Sequence, residues 1–81
     1  MIDPESSTPL YRQLADILTA RIKTGALANG RPIPSEVQLQ QEFGVARGTA
    51  RKAVAALRDA GLVHTVMGKG TYVGPLPKRV E

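Results

Sequence analysis

Apolar residues along this chain recur first at helical spacing and then, beyond residue 61, in a run rich in β-branched side chains. In "TPLYRQLADILTARIKTG", Leu10, Leu14, Ile17, Leu18 and Ile22 fall on one stripe, which predicts a first helix. Thr8 is expected to cap it, and Pro9 to take the first helical position, where no backbone donor is missed. Gly25 offers a left-handed stop. "ALANGRPIP" cannot continue the helix, because Asn29-Gly30 is followed by Pro32 and Pro34. It reads as an extended connection in which Ile33 either makes a short strand or plugs the core.

"SEVQLQQEFG" restarts a helix. Ser35 with Gln38 three residues on has the form of a capping box, and Val37, Leu39 and Phe43 supply the apolar side. Gly44 closes this helix, and after "GVA" a third begins at once. There Ala50, Val54 and Leu57 recur at steps of four and three, with Ala53 and Ala56 small enough for close approach, until Gly61 ends it. Two short helices joined by a tight glycine-containing turn form the helix-turn-helix pattern. In "LVHTVMGKGTYV" the period changes: Leu62 to Val66 and Thr71 to Val73 read as two strands of a hairpin broken by Gly68 and Gly70. Helix, helix, helix, hairpin predicts an α+β fold, mainly α: a winged helix-turn-helix.

Length and composition narrow the picture. At 81 residues without cysteine, the chain is one domain near the lower limit for folding without disulfides or thiolate metal sites. Its core must be aliphatic, since Tyr11, Phe43 and Tyr72 are the only aromatics. No apolar run approaches the roughly 20 residues of a membrane helix, and "MIDPESST" lacks the basic and apolar regions of a signal peptide. A cytoplasmic protein with no membrane partner is expected, organised as a flexible tail (1–8), a folded domain (9–74) and the start of a linker (75–81).

The net charge of +4 is unevenly spread. Between residues 44 and 73 stand Arg47, Arg51, Lys52, Arg58 and Lys69 against Asp59 alone, which suits a polyanionic partner. A plain solvated basic face is the alternative. In a winged helix-turn-helix the third helix, here about 46–60, points its first turn into the major groove of double-stranded DNA. "ARGTARKAVAALRDAG" is divided accordingly. Arg47 and Arg51 are one turn apart, about 6 Å on one ridge. Thr49 and Lys52 lie beside them as phosphate contacts, and Gly48 lets the backbone come close. Arginine's planar fork matches guanine O6 and N7 and is worth about 1–3 kcal/mol of base discrimination. The competing structural role has Arg51 covering apolar surface and Arg47 pairing with Glu42 across the turn. Such a surface pair contributes only about 0–1 kcal/mol and leaves Gly48 and Thr49 unexplained.

The tip "MGKGT", residues 67–71, fits a wing at the minor groove, with Gly68 for close approach and Lys69 for charge; an ordinary glycine turn is the plainer reading. It is not a phosphate-binding loop, whose glycines stand further apart and open a helix. His64 is the only histidine, so neither general-base catalysis nor a metal site has enough groups, and no cofactor is expected. A winged-helix module for protein or RNA is the second functional reading.

"PLYRQLADILTARIKTGAL", "G-x-x-IPSEVQL", "FGVARGTARKAVAALRDAGLV" and "GKGTYV", in this order from Pro9 to Val73, resemble the DNA-binding domain of the GntR family of bacterial repressors, most closely its HutC-like branch. Repressors of actinomycete conjugative plasmids are one home within that branch. The resemblance implies that Arg47 and Arg51 read bases, Thr49 contacts backbone or base, and Gly68 enters the minor groove. It also implies that Ser35 and Glu36 bring a helix N-terminus to phosphate. Val37 stands where many members carry a DNA-reaching arginine, Ala46 replaces a capping serine or threonine, and Gln40 replaces a small alanine. The resemblance further implies a C-terminal domain that binds a small-molecule effector and dimerises. Nothing after Val73 is long enough to be one, so an isolated, monomeric operator-binding domain is expected. The full-length protein is expected to be a homodimer on a palindromic operator in the nucleoid.

Overall fold

The computed structural model describes residues 2–75. Three helices, α1 (Leu10–Lys23), α2 (Glu36–Phe43) and α3 (Arg47–Asp59), precede two antiparallel strands, β1 (Val63–Val66) and β2 (Gly70–Val73). The predicted winged helix-turn-helix is the observed architecture. α3 is central, packing on α1, α2 and β1. Leu14, Leu18, Leu39, Leu57 and Val63 are fully buried and draw on every element except β2, which contributes Val73. Burial of each leucine contributes about 1.5–3 kcal/mol.

The apolar pattern places the core with two shifts. α1 buries Leu14, Ala15 and Leu18, while Ile17 and Leu10 are half-buried to one side. Ala15 joins Leu14 and Leu18 in the core. Val37, assigned to the apolar side of α2, is instead 48% exposed. The start of α1 also differs: Pro9, not Thr8, is the N-cap, with extended ψ of 148° and no side-chain cap bond. Thr8 lies one residue too far out, and its carbonyl accepts from Gln13 Nε2 at 2.8 Å. The Gln13 amide also bonds both backbone groups of Asp3, and Ile2 packs on the core, so the segment before α1 folds back along it.

α2 begins as its sequence requires. Ser35 Oγ accepts from the Gln38 amide, and the Ser35 amide donates to Gln38 Oε1, completing the capping box. Gly44 ends the helix at φ +67°, which a side chain would resist, and its amide donates to the Gln40 carbonyl. Val45 plugs the turn and α3 starts immediately after Ala46, which offers no side-chain cap.

In the wing, Val63 pairs with Val73, His64 with Tyr72, Thr65 with Thr71 and Val66 with Gly70. β2 therefore begins at Gly70, and the exposed tip is three residues, Met67 to Lys69, rather than five. The Lys69 amide donates to the Val66 carbonyl, and Gly68 holds φ +77°, the sign that the third residue of a type II turn requires. On its other edge β2 meets the connection after α1. The Gly30 amide donates to Val73, the Val73 amide to Arg31, and the Ile33 amide to Thr71. Ile33 thus plugs the core, and in place of a short strand the segment makes an isolated bridge, Pro32 with Tyr72, next to the Ile33 amide bond. At the root, His64 Nδ1 donates to the Gly74 carbonyl at 2.7 Å, since a carbonyl can only accept.

Candidate nucleic-acid interface

The head of α3 carries the feature that sequence reasoning singled out. Arg47 and Arg51 project from its first two turns, with side chains 63% and 65% exposed. Their helix is amphipathic in the required sense: Ala50, Ala53, Val54 and Leu57 are buried, while Arg47, Gly48, Arg51 and Lys52 face solvent. Thr49 is half-buried at the edge of that face.

The acidic partner is not the one sequence proximity indicated. Glu42 bonds Arg21 of α1, Nη2 to Oε2 at 2.7 Å, and does not reach Arg47. That hydrogen bond holds the Glu42 carboxyl below its usual range and raises Arg21. The group beside the arginine pair is Glu36, the first residue of α2. Its Oε1 accepts from Arg47 Nε at 3.1 Å, and its Oε2 lies 3.6 Å from Arg51 Nε. One carboxylate therefore spans both guanidinium groups. The family resemblance places Glu36 in a segment whose helix N-terminus meets phosphate. Its side chain instead turns to the arginines, because the Gly44 turn lays the start of α2 beside the start of α3. Its sequence separation of 11 and 15 residues from them hides this contact.

Gly48 has ordinary helical φ, and a Cβ added there would meet nothing within 4 Å. Among the described residues no contact requires a glycine at this position. Ser35 is exposed with its hydroxyl committed to the α2 cap. Lys52 lies 4.6 Å above the Tyr11 ring, with Arg12 5.5 Å from the same ring, so its ammonium rests on α1. Gly68 and Lys69 are exposed at the wing tip next to Met67, which is 95% exposed.

Arg58 is a residue whose local role the sequence did not display. From the last turn of α3, its Nε donates to Thr65 Oγ1 of β1 at 3.0 Å. This bond ties the wing to the helix that carries the arginines. Among the described residues no helix is long and apolar enough to cross a membrane.

Known proteins are similar to this chain in sequence and in fold. The family model described as bacterial regulatory proteins, gntR family, matches residues 10–73. The chain is 45% identical over 65 residues to the mannosyl-D-glycerate transport/metabolism system repressor MngR of Escherichia coli K12, covering 80% of this chain and 27% of that protein. It is 38% identical over 72 residues to the HTH-type transcriptional repressor NagR of Bacillus subtilis 168, covering 89% and 30%. It thus spans less than a third of the length of either relative. Among solved structures, the AraR DNA-binding domain in complex with operator ORR3 superposes with a TM-score of 0.79 at 36% identity, over 91% of this chain and 89% of that one.

Proposed function

Because the chain belongs to the GntR family of bacterial regulatory proteins, we propose that it binds double-stranded DNA sequence-specifically, as the operator-binding domain of a transcriptional repressor. The observation that carries this reading is the exposed guanidinium pair on the first two turns of α3, with an unobstructed glycine between them. It is a binding module, not an enzyme, in keeping with the repressor relatives and the operator complex of a similar domain.

In this reading α3 enters the major groove, and Arg47 and Arg51 take guanine edges through their Nη forks. Gly48 lets the α3 backbone approach, and Thr49 contacts the sugar-phosphate chain. The free amides at the head of α2, after Ser35, meet a phosphate together with Lys52. Gly68 and Lys69 bring the wing tip to the minor groove. Val37 adds an exposed apolar side chain to this face, where an arginine would have added a charge. The domain spans 9–74, and the linker expected at 75–81 lies, beyond Pro75, outside the described residues. The wider protein belongs to the HutC-like branch, with plasmid-transfer repressors of actinomycetes as one home. It works as a homodimer on a palindromic operator in the nucleoid and responds to a small molecule through a C-terminal domain.

The test is to enrich duplexes from a random pool with the chain, then to titrate the enriched and a scrambled duplex at several salt concentrations. Log affinity should fall linearly with log salt for both duplexes. Arg51→Ala should lose roughly 5- to 150-fold, about 1–3 kcal/mol, on the enriched duplex and much less on the scrambled one. Failure to enrich any sequence would favour a protein- or RNA-binding module.

A further inference from the structure

The Glu36 carboxylate is out of place on a surface meant for a polyanion unless it has a task there. Its geometry supplies one. A single carboxylate, rooted on α2 by the Ser35–Gln38 capping box, engages the Nε edge of two arginines rooted on α3. Its own side chain is 30% exposed, about half the exposure of either arginine. A guanidinium engaged at Nε uses the edge formed by Nε and one Nη, and leaves free its outward edge, formed by the end-on hydrogens of both Nη groups. That outward edge is the fork that fits guanine O6 and N7.

Two consequences follow for binding. Arginine side chains have many rotamers, and those already ordered before binding lose less freedom when they dock. Secondly, the carboxylate opposes phosphate. An arginine that leaves Glu36 for the sugar-phosphate chain abandons its partner and exposes a negative charge to DNA, so sequence-blind complexes are penalised. When both forks lie on base edges, the Nε contacts are kept and no such penalty arises.

We propose that Glu36 is a positioning residue that sets the sequence specificity of this domain, by holding the Arg47 and Arg51 forks toward base edges and disfavouring their use on phosphate. This rests on the DNA-binding reading above. It differs from a phosphate contact by Glu36 in that the side chain acts through the arginines.

The experiment measures the affinity of the chain and of two variants for the enriched and scrambled duplexes. Glu36→Gln keeps the shape and removes the charge; Glu36→Asp keeps the charge but is one methylene too short to span both arginines. Both should lower the enriched-to-scrambled affinity ratio at least 10-fold, Glu36→Gln partly by tightening scrambled binding several-fold. The Nε–H resonances of Arg47 and Arg51, distinct in the parent protein, should move to the position of freely rotating arginines in both variants. Equal changes on the two duplexes would overturn the proposal, as would a parent-like ratio in Glu36→Asp, which would show that charge alone suffices. If the parent enriches no sequence, the DNA reading itself fails, and that is seen before either variant is made.

Discussion

Gly48 stands in the first turn of a helix, has ordinary helical φ and faces open space. Glycine there disfavours the helix by up to about 1 kcal/mol relative to alanine. No described residue requires a glycine there, and the close approach of a DNA backbone proposed above would give it a use. Gly48→Ala should raise the melting temperature by up to about 4–8 °C in circular dichroism. The same variant should bind the enriched duplex at least 10-fold more weakly. A stabilised variant with unchanged affinity would remove the close-approach argument. At this scale the arginines were legible, because two strong donors one turn apart at the head of an alanine-rich helix have no local use. Glu36 as their partner was not. Pairing across a turn is guessed from sequence distance, which favoured Glu42, whereas the left-handed turn at Gly44 decides which end of α2 lies beside α3.

Elements were legible where their signals are local. The α2 capping box and the Gly44 stop are each written within a few residues and stand as read, while the glycine-broken hairpin forms with a tip two residues shorter than expected. The segment that bonds along the wing's outer edge was only half legible. One apolar residue between two prolines has no period, and only the pairing with β2 decides its use. Nor could the sequence show that Arg58 links α3 to β1, since a late-helix arginine looks like a complement to the helix dipole. That link leads to a testable effect. Arg58→Ala removes an exposed hydrogen bond, which should reduce stability by no more than about 0.5–1.5 kcal/mol. It also removes the side-chain tie between wing and helix, so the enriched-duplex affinity should fall further than that of Lys69→Ala measured alongside. If stability falls and affinity does not, the wing's attitude does not matter for binding.

Across the whole molecule, α1 and α2 are fastened at the surface by Arg21 and Glu42, with the Arg21 guanidinium also over the Phe43 ring. Glu42 has a carboxyl pKa lowered by folding, so its contribution is complete above the unfolded value, about 4.3, and fades as pH falls through the lower folded one. Both side chains are more than a third exposed or close to it, so solvent screening keeps the pair within about 0–1 kcal/mol. Glu42→Gln should therefore melt slightly below the parent at pH 7, and the gap should close as the pH drops from about 5 toward 3. A gap that widens in acid would contradict the assigned partner. The order of elements and most of the core were legible at this scale, because burial follows periodicity. The shift at Val37 was not, because apolar character alone does not say which side of a short helix faces inward.

The pairing of residues 30–33 along β2 has one more effect. A strand at the border of a sheet invites another chain to zip on. Here the bordering segment holds Pro32 and is followed by Pro34, neither of which has an amide hydrogen to offer. That flank is therefore closed to further strands, and a small basic protein crowded along a nucleic acid is spared self-association there.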